Sequence, residues 1–265
     1  MESAAVNIGT TGLLLGYLLL IIPIALILYF RVRLLKDLTV SLLRMTVQLL
    51  FVGFYLQFVF DLNSWWLNIL WLMVMISAAD ISLISASGIR LKRFLIPVFI
   101  SLFIGTVIPL IYLLWVIIQL PNVLDARYFI PIAGMIMGNS LRADIVGLRS
   151  FYSAIKSNEK SYQMALGQSA VLSEAVRPHL KESLIASWSP TIATMATIGI
   201  VSLPGMMTGI ILGGTDPMVA IKYQIAIMIA IFSGTALAVV LGIVLTMSTS
   251  FTSMGTLDHK IFKSK

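Results

Sequence analysis

Apolar runs of about 20 residues recur near 8–30, 38–60, 65–88, 94–118, 128–148, 186–212 and 218–247, separated by short polar stretches. Each is long enough to cross roughly 30 Å of hydrocarbon as a helix, so the pattern predicts an all-α polytopic protein with about seven transmembrane helices. Asn139, Arg142 and Asp144 polarise the end of the fifth run. The sixth run contains Leu203-Pro204-Gly205-Met206-Met207-Thr208-Gly209. A proline within a helix removes a backbone hydrogen bond and clashes with the preceding turn, costing roughly 3 kcal/mol, and a glycine adds about 1 more. Such a break in lipid requires protein or water to satisfy the freed groups. Gly205, Gly209 and Gly213, spaced four apart, would also let another helix approach closely. Pro204, Gly205, Met206, Met207, Thr208 and Gly209 are therefore candidates for a hinge or pathway element, or simply for a kinked and tightly packed span.

The one long polar segment covers about 149–187. Within it Tyr162-Gln163-Met164-Ala165-Leu166-Gly167 reads as a short helix ended by glycine, which best tolerates the left-handed C-terminal position. Leu172, Val176, Leu180 and Leu184 follow at four-residue spacing, the mark of an amphipathic helix. Two short helices lying along the membrane are expected.

Composition agrees with the periodicity. The 265 residues are 59% hydrophobic and only 11% charged, with a mean hydropathy of +1.00, outside the range of soluble domains. The absence of Cys excludes disulfides, thiolate metal sites and cysteine nucleophiles. The net charge of +7 could suggest nucleic acid, but the cations sit in short loops between apolar runs, so no nucleic-acid face is expected. Met1 to Asn7 carries Glu2 and no Lys or Arg, unlike the basic start of a signal peptide, and the first run is read as a retained span.

The loop charges set an orientation. Arg31, Arg33 and Lys36, then Arg90, Lys92 and Arg93, then Arg142, Arg149, Lys156, Lys160, Arg177 and Lys181, and finally Lys260, Lys263 and Lys265 alternate with loops holding Asp61, Asp125 and Asp216. The positive-inside rule then places the N-terminus outside and the C-terminus in the cytoplasm. Trp65, Trp66 and Tyr128 fall at the expected outer ends, where amphipathic rings prefer the headgroup level. The localisation that follows is multi-pass in the plasma membrane, which for a prokaryote means the inner membrane.

Arg44 and Asp80 lie inside the second and third runs, each roughly 12 Å deep at 1.5 Å per residue. A charge at a span centre costs about 2.5 to 3.5 kcal/mol, and mutual pairing is the cheapest explanation, with a transport role as the other reading. Gln48 and Gln57, nine residues apart, face opposite sides of their helix, so at most one lines a path. Asn139 is the remaining intramembrane polar candidate. Met135, Met137, Met206 and Met207 could offer thioethers to a soft metal, yet methionine in apolar spans usually packs. His179 and His259 form no metal cage with carboxylates, and neither a metal site nor a catalytic residue is assigned.

Ser202-Leu203-Pro204-Gly205-Met206-Met207-Thr208-Gly209 with Ile211-Leu212-Gly213-Gly214, Asp216-Pro217, Ala220 and Tyr223-Gln224-Ile225 resembles the FetB-type family of ABC transporter permeases. Its members include bacterial iron-export and plant aluminium-tolerance permeases. Weaker matches are Arg44 with Val47-Gln48-Leu49, Tyr128-Ile130-Pro131 with Gly134-Met135 and Gly138-Asn139, and Ala165-Leu166-Gly167. The resemblance implies that residues 1–265 form one permease domain, working as a homodimer beside a separate ATP-binding cassette subunit that holds the ATP, with no cofactor on this chain. It implies coupling through the loop at about 149–187, with Tyr162, Ala165, Leu166 and Gly167 as contact residues. It implies iron or other metal export in the bacterial branch and nucleotide-sugar transport in the plant branch. Ile210 stands where many members carry Gln.

Three classes of function follow. An ABC permease subunit fits the absence of a G-x-x-x-x-G-K-S/T phosphate loop, since this chain cannot hydrolyse ATP by that route. A secondary transporter would use an ion gradient, with Asp80 as proton carrier, but no inverted repeat is visible. An intramembrane aspartyl protease would need Asp80 and Asp144 in one site sharing a proton, and Arg142 beside Asp144 argues against it.

Overall fold

The structure, a computed structural model, describes residues 8–89, 91–168, 171–252 and 255–261. Met1–Asn7, Arg90, Lys263 and Lys265, used in the topology reading, lie outside them. Among the described residues ten α-helices follow in order: α1 Thr10–Leu18, α2 Ile21–Tyr29, α3 Leu35–Leu62, α4 Trp65–Ser87, α5 Leu91–Ile111, α6 Ala126–Ser157, α7 Glu159–Gly167, α8 Leu172–Thr197, α9 Gly205–Leu212 and α10 Pro217–Ser250. The described residues form no strand, only isolated bridges such as Phe251 to Leu257.

Prolines divide the apolar runs. Pro23 cannot bond the Leu19 carbonyl, and the first run splits there into α1 and α2. Pro109 likewise frees the Gly105 carbonyl, and α5 relaxes into a π-helical stretch over Tyr112–Ile117. Asp125 and Asp216 start α6 and α10 by accepting the amides of Arg127 at 3.0 Å and Met218 at 2.8 Å.

Among the described residues five helical stretches are long and apolar enough to cross a membrane: Thr10–Tyr29, Leu35–Leu62, Trp65–Ser87, Arg93–Ile117 and Pro217–Ser250. These match the first four expected runs and the seventh. The fifth falls on α6, whose polar residues dilute its apolar face. The sixth is not one helix. The amphipathic segment and its first half form the single helix α8, with Pro178 and Pro190 inside it, and its second half is α9.

The core lies between α4, α5, α6, α8 and α10. Asn63 at the end of α3 accepts the Ala126 amide at 2.9 Å, and Asn68 of α4 donates to the Leu124 carbonyl at 2.7 Å, so α4 and α6 start at the same end and run parallel. Small residues bring α5 and α10 together. A Cβ on Gly105 would meet the Ala238 Cβ at 2.6 Å, and one on Gly234 would meet the freed Gly105 carbonyl at 2.6 Å. The first two spans stay apart from this core, and α3 touches it mainly through the buried Val59 and the ring of Tyr55, whose centroid is 4.1 Å from that of Trp71.

Candidate functional site

A cleft of about 240 Å³ opens between α6, α8 and α10, lined by Asn139, Arg142, Ser187, Pro190, Thr191 and Thr194 among others. Helix α8 reaches it because Gly147 lets the chains close: a Cβ there would lie 2.9 Å from Val239 and 3.5 Å from Ser187, while Ser183 donates to the Gly147 carbonyl at 2.6 Å. The Asn139 amide is engaged with the Met135 carbonyl at 2.8 Å. Arg142 is exposed and is the one charged side chain among the lining residues. Of the intramembrane polar candidates only Asn139 lines this cleft. Gln48 and Gln57 are both exposed on α3.

Arg44 and Asp80 do not pair. Arg44 is exposed on the loosely docked α3, whereas Asp80 is 1% exposed on the face of α4 that meets α5 and α6, and no ion pair joins them. Matching depth is not enough when the two helices turn these residues in different directions. One carboxylate oxygen of Asp80 is buried without a hydrogen-bond partner.

The break in the sixth run comes earlier than Pro204. Helix α8 ends at Thr197, and Gly199 at φ 90° turns the chain, its amide bonded to the Ser202 carbonyl at 2.9 Å. Pro204 stands just before α9 and Gly205 begins it, so the proline interrupts no helix and its missing N–H costs nothing. Met207 is buried, Met206 packs against the core, and Thr208 donates back to the Pro204 carbonyl at 3.1 Å. Among the described residues nothing lies within 4 Å of a Cβ built on Gly205 or Gly209, so no described helix packs on these glycines. The residues of the turn face outward: Ile200 is 92% exposed and Val201 76%.

Helix α7 is clamped rather than free. Tyr162 is buried, its ring beside Phe251 and His179, and its hydroxyl donates to the Gly255 carbonyl at 2.5 Å. Burial pushes its phenol up to about 12. Leu166 packs within reach of Gly255, and Ala165 and Leu166 are half-buried. Residues 251–252 and 255–261 thus strap across α7, fastened also by an ion pair between Arg93 and Asp258 and by His259 against Glu159 at 2.9 Å. The Arg93 guanidinium, helped by the Lys260 amide, holds the Asp258 carboxyl below its ordinary value. Gly167 and Met164 remain exposed. Tyr162 and Leu166 therefore hold α7 in place, and the outward surface belongs to Met164 and Gly167.

Sequence reasoning missed the closest helix contact. Gly234, Ala238 and Gly242 on α10 repeat every four residues, as do Ser101 and Gly105 on α5. That spacing is the same signal that drew attention to Gly205 and Gly209, and here it marks a packed face.

Long apolar helices, a core knitted by small residues and a clamped polar hairpin of α7 packed on α8 define a multi-pass helical membrane protein. A family described as "Uncharacterised protein family (UPF0014)" matches residues 10–251, and the chain belongs to this family. It is 34% identical over 197 residues to the UPF0014 membrane protein slr1647 of Synechocystis, covering 74% of this chain and 76% of that one. It is 31% identical over 225 residues to the protein ALUMINUM SENSITIVE 3 of Arabidopsis thaliana, covering 84% and 81%. With the probable iron export permease protein FetB of Escherichia coli it shares 29% identity over 260 residues, 98% of each chain. No solved structure matches.

Proposed function

We propose that this chain is the membrane-spanning permease subunit of an ABC transporter, exporting iron or another metal, with ATP bound and hydrolysed on a separate partner subunit. The carrying observation is the clamped hairpin: α7 is fixed to α8 and to the strap after α10, which is itself tied to α5, yet presents Met164 and Gly167 outward. A rigid projection of this kind can transmit a partner's movement into α6 and α8, which a loose loop cannot. The full-length likeness to a protein named as a probable iron export permease supports the cargo. On this reading the hairpin end faces the cytoplasm, all seven apolar runs cross the plasma membrane, the bacterial inner membrane in a prokaryote, and residues 1–265 act as one domain.

The turn at 198–204 supports a homodimer. Irregular backbone at membrane depth is tolerated where protein or a water-filled path covers it, and in the single chain Ile200, Val201 and the Gly205 and Gly209 face are open. A second copy facing across the pathway would cover them.

The test is to co-express the chain with a candidate ATP-binding cassette subunit, reconstitute the pair, and measure ATP hydrolysis with and without ferrous iron. Stimulation by iron, lost in Gly167→Trp with insertion intact, is expected. An unchanged rate in Gly167→Trp would remove the coupling role, and transport by the chain alone in liposomes under an ion gradient would favour a secondary transporter.

A second cargo has one observation in its favour. Arg142, the sole charge lining the cleft, would attract a phosphate-bearing molecule such as a nucleotide sugar and repel a bare metal cation.

A further inference from the structure

Asp144 sits on α6 where α5 and α10 converge. It is 1% exposed, and neither of its carboxylate oxygens has a hydrogen-bond partner. Gly242 of α10 closes over it, since a Cβ on that glycine would lie 4.0 Å from Oδ1 of Asp144 and 3.4 Å from the Ser101 hydroxyl. That hydroxyl is already donated to the Val98 carbonyl at 2.8 Å. Ser140, one turn away on the same face of α6, is fully buried and also lacks a partner.

The charged and titratable neighbours are few. Helix α5 carries none between Leu95 and Ile111, and α10 none between Ala226 and Ser250. Helix α8 meets this part of α6 with Ser183 and Ser187, while its Lys181 and Glu182 are exposed. On α3, Arg44 is exposed. On α6 itself, Arg142 is exposed and lies about 200° around the helix, and the Tyr152 hydroxyl, two turns on, is held by Thr246 and Ser250, each at 2.8 Å. Helix α4 contributes Asp80. Met75 on α4 lies 3.3 Å from a Cβ built on Gly134, and with the two helices parallel this register brings Asp80 level with the Asn139 to Ser140 turn. The ionisable group that α4 brings to this level is thus a second acid.

An ionised carboxylate in this position would have no hydrogen-bond donor and no paired cation among the described residues, an arrangement that strongly disfavours the charged form. We propose that Asp144 is a proton-binding site, and that the neutral carboxyl is the form that fits the junction of α5, α6 and α10. Loss of the proton would draw water into the contact that Gly242 closes, so occupancy of the site and the packing of α10 on α6 are linked. This assignment stands independently of the transporter reading.

The experiment is infrared spectroscopy of the purified full chain in lipid nanodiscs near neutral pH, comparing the unaltered protein with Asp144→Asn and Asp80→Asn. A protonated-carboxyl carbonyl band is expected in the unaltered protein and in Asp80→Asn, and its loss is expected in Asp144→Asn. Asn reproduces the shape and neutrality of the protonated acid, so the Asp144 variant should retain native helicity and thermal stability. An absent band in the unaltered protein, a band unchanged by Asp144→Asn, or failure of that variant to fold would each overturn the proposal. Loss of the band on adding sodium or a divalent cation would reassign the site to a metal ion.

Discussion

The Tyr162 hydroxyl donates to the Gly255 carbonyl at 2.5 Å across 93 residues of sequence, fastening the segment after α10 to the middle of α7. Gly255 suits the position because its φ of 76° lies in the left-handed region. The bond, the buried ring and the Arg93 to Asp258 pair make the strap part of the hairpin's foundation.

Tyr162→Phe should keep the ring and lose the bond, at a cost of about 1 to 3 kcal/mol because the carbonyl is left unpaired. Tyr162→Ala should cost about 3 to 5 kcal/mol through the cavity it opens. Limited proteolysis would read the effect, with cleavage after Ser250 fastest in Tyr162→Ala, slower in Tyr162→Phe and slowest in the unaltered protein. Equal rates in all three would show that the strap is held elsewhere.

Acid should release the same strap. The Asp258 value is depressed in the folded chain, so its pairing with Arg93 stabilises above the ordinary carboxylate value and is lost as pH falls through the depressed one. Strap mobility, followed by a spin label at Thr252, should therefore rise at acidic pH. Asp258→Asn should show the higher mobility already at neutral pH.

The two glycine rows should respond in opposite ways. Gly234→Val must displace the Gly105 carbonyl or Ile136 and should cost about 1 to 3 kcal/mol or more through overpacking, lowering the thermal midpoint in detergent. Gly209→Ala meets open space within a helix and should raise stability of the isolated chain by about 0.5 to 1 kcal/mol. If Gly209→Ala nevertheless abolished transport, the face would be one that a second copy or the cargo uses.

Arg142→Gln should leave folding untouched, since the side chain is exposed. Binding of a phosphate-bearing ligand such as a nucleotide sugar, measured by calorimetry on the reconstituted transporter, should weaken about tenfold on loss of one charge-assisted contact. Ferrous iron binding that strengthens instead would identify the cleft as the metal path.

Much of the architecture was legible because lipid imposes a local rule: a run of apolar residues must hydrogen-bond internally, and helices satisfy it. The apolar runs and the start of α10 after Asp216 follow from neighbours in sequence; α7 also ends at Gly167, but that glycine is the last helical residue and not in the left-handed region, and Gln168 is the cap at φ -88°. The candidate residues were legible only as types. Arg44 and Asp80 share a depth, yet one faces outward and the other the core. Tyr162 reads in sequence as one more residue of a short helix, and only the fold shows its ring beside Phe251 and its hydroxyl on the Gly255 carbonyl.

By itself the sequence determined that the chain is an all-helical membrane protein, where its apolar runs lie and that its glycine and proline motifs are spaced for close packing, because helix length and hydrophobicity act within a few turns. Tertiary structure decided which glycines are used, where the sixth run breaks and which acid is sealed from water. Those outcomes depend on how helices rotate against one another, and that rotation is fixed by long-range contacts such as Gly105 on Ala238 and Asn68 on Leu124.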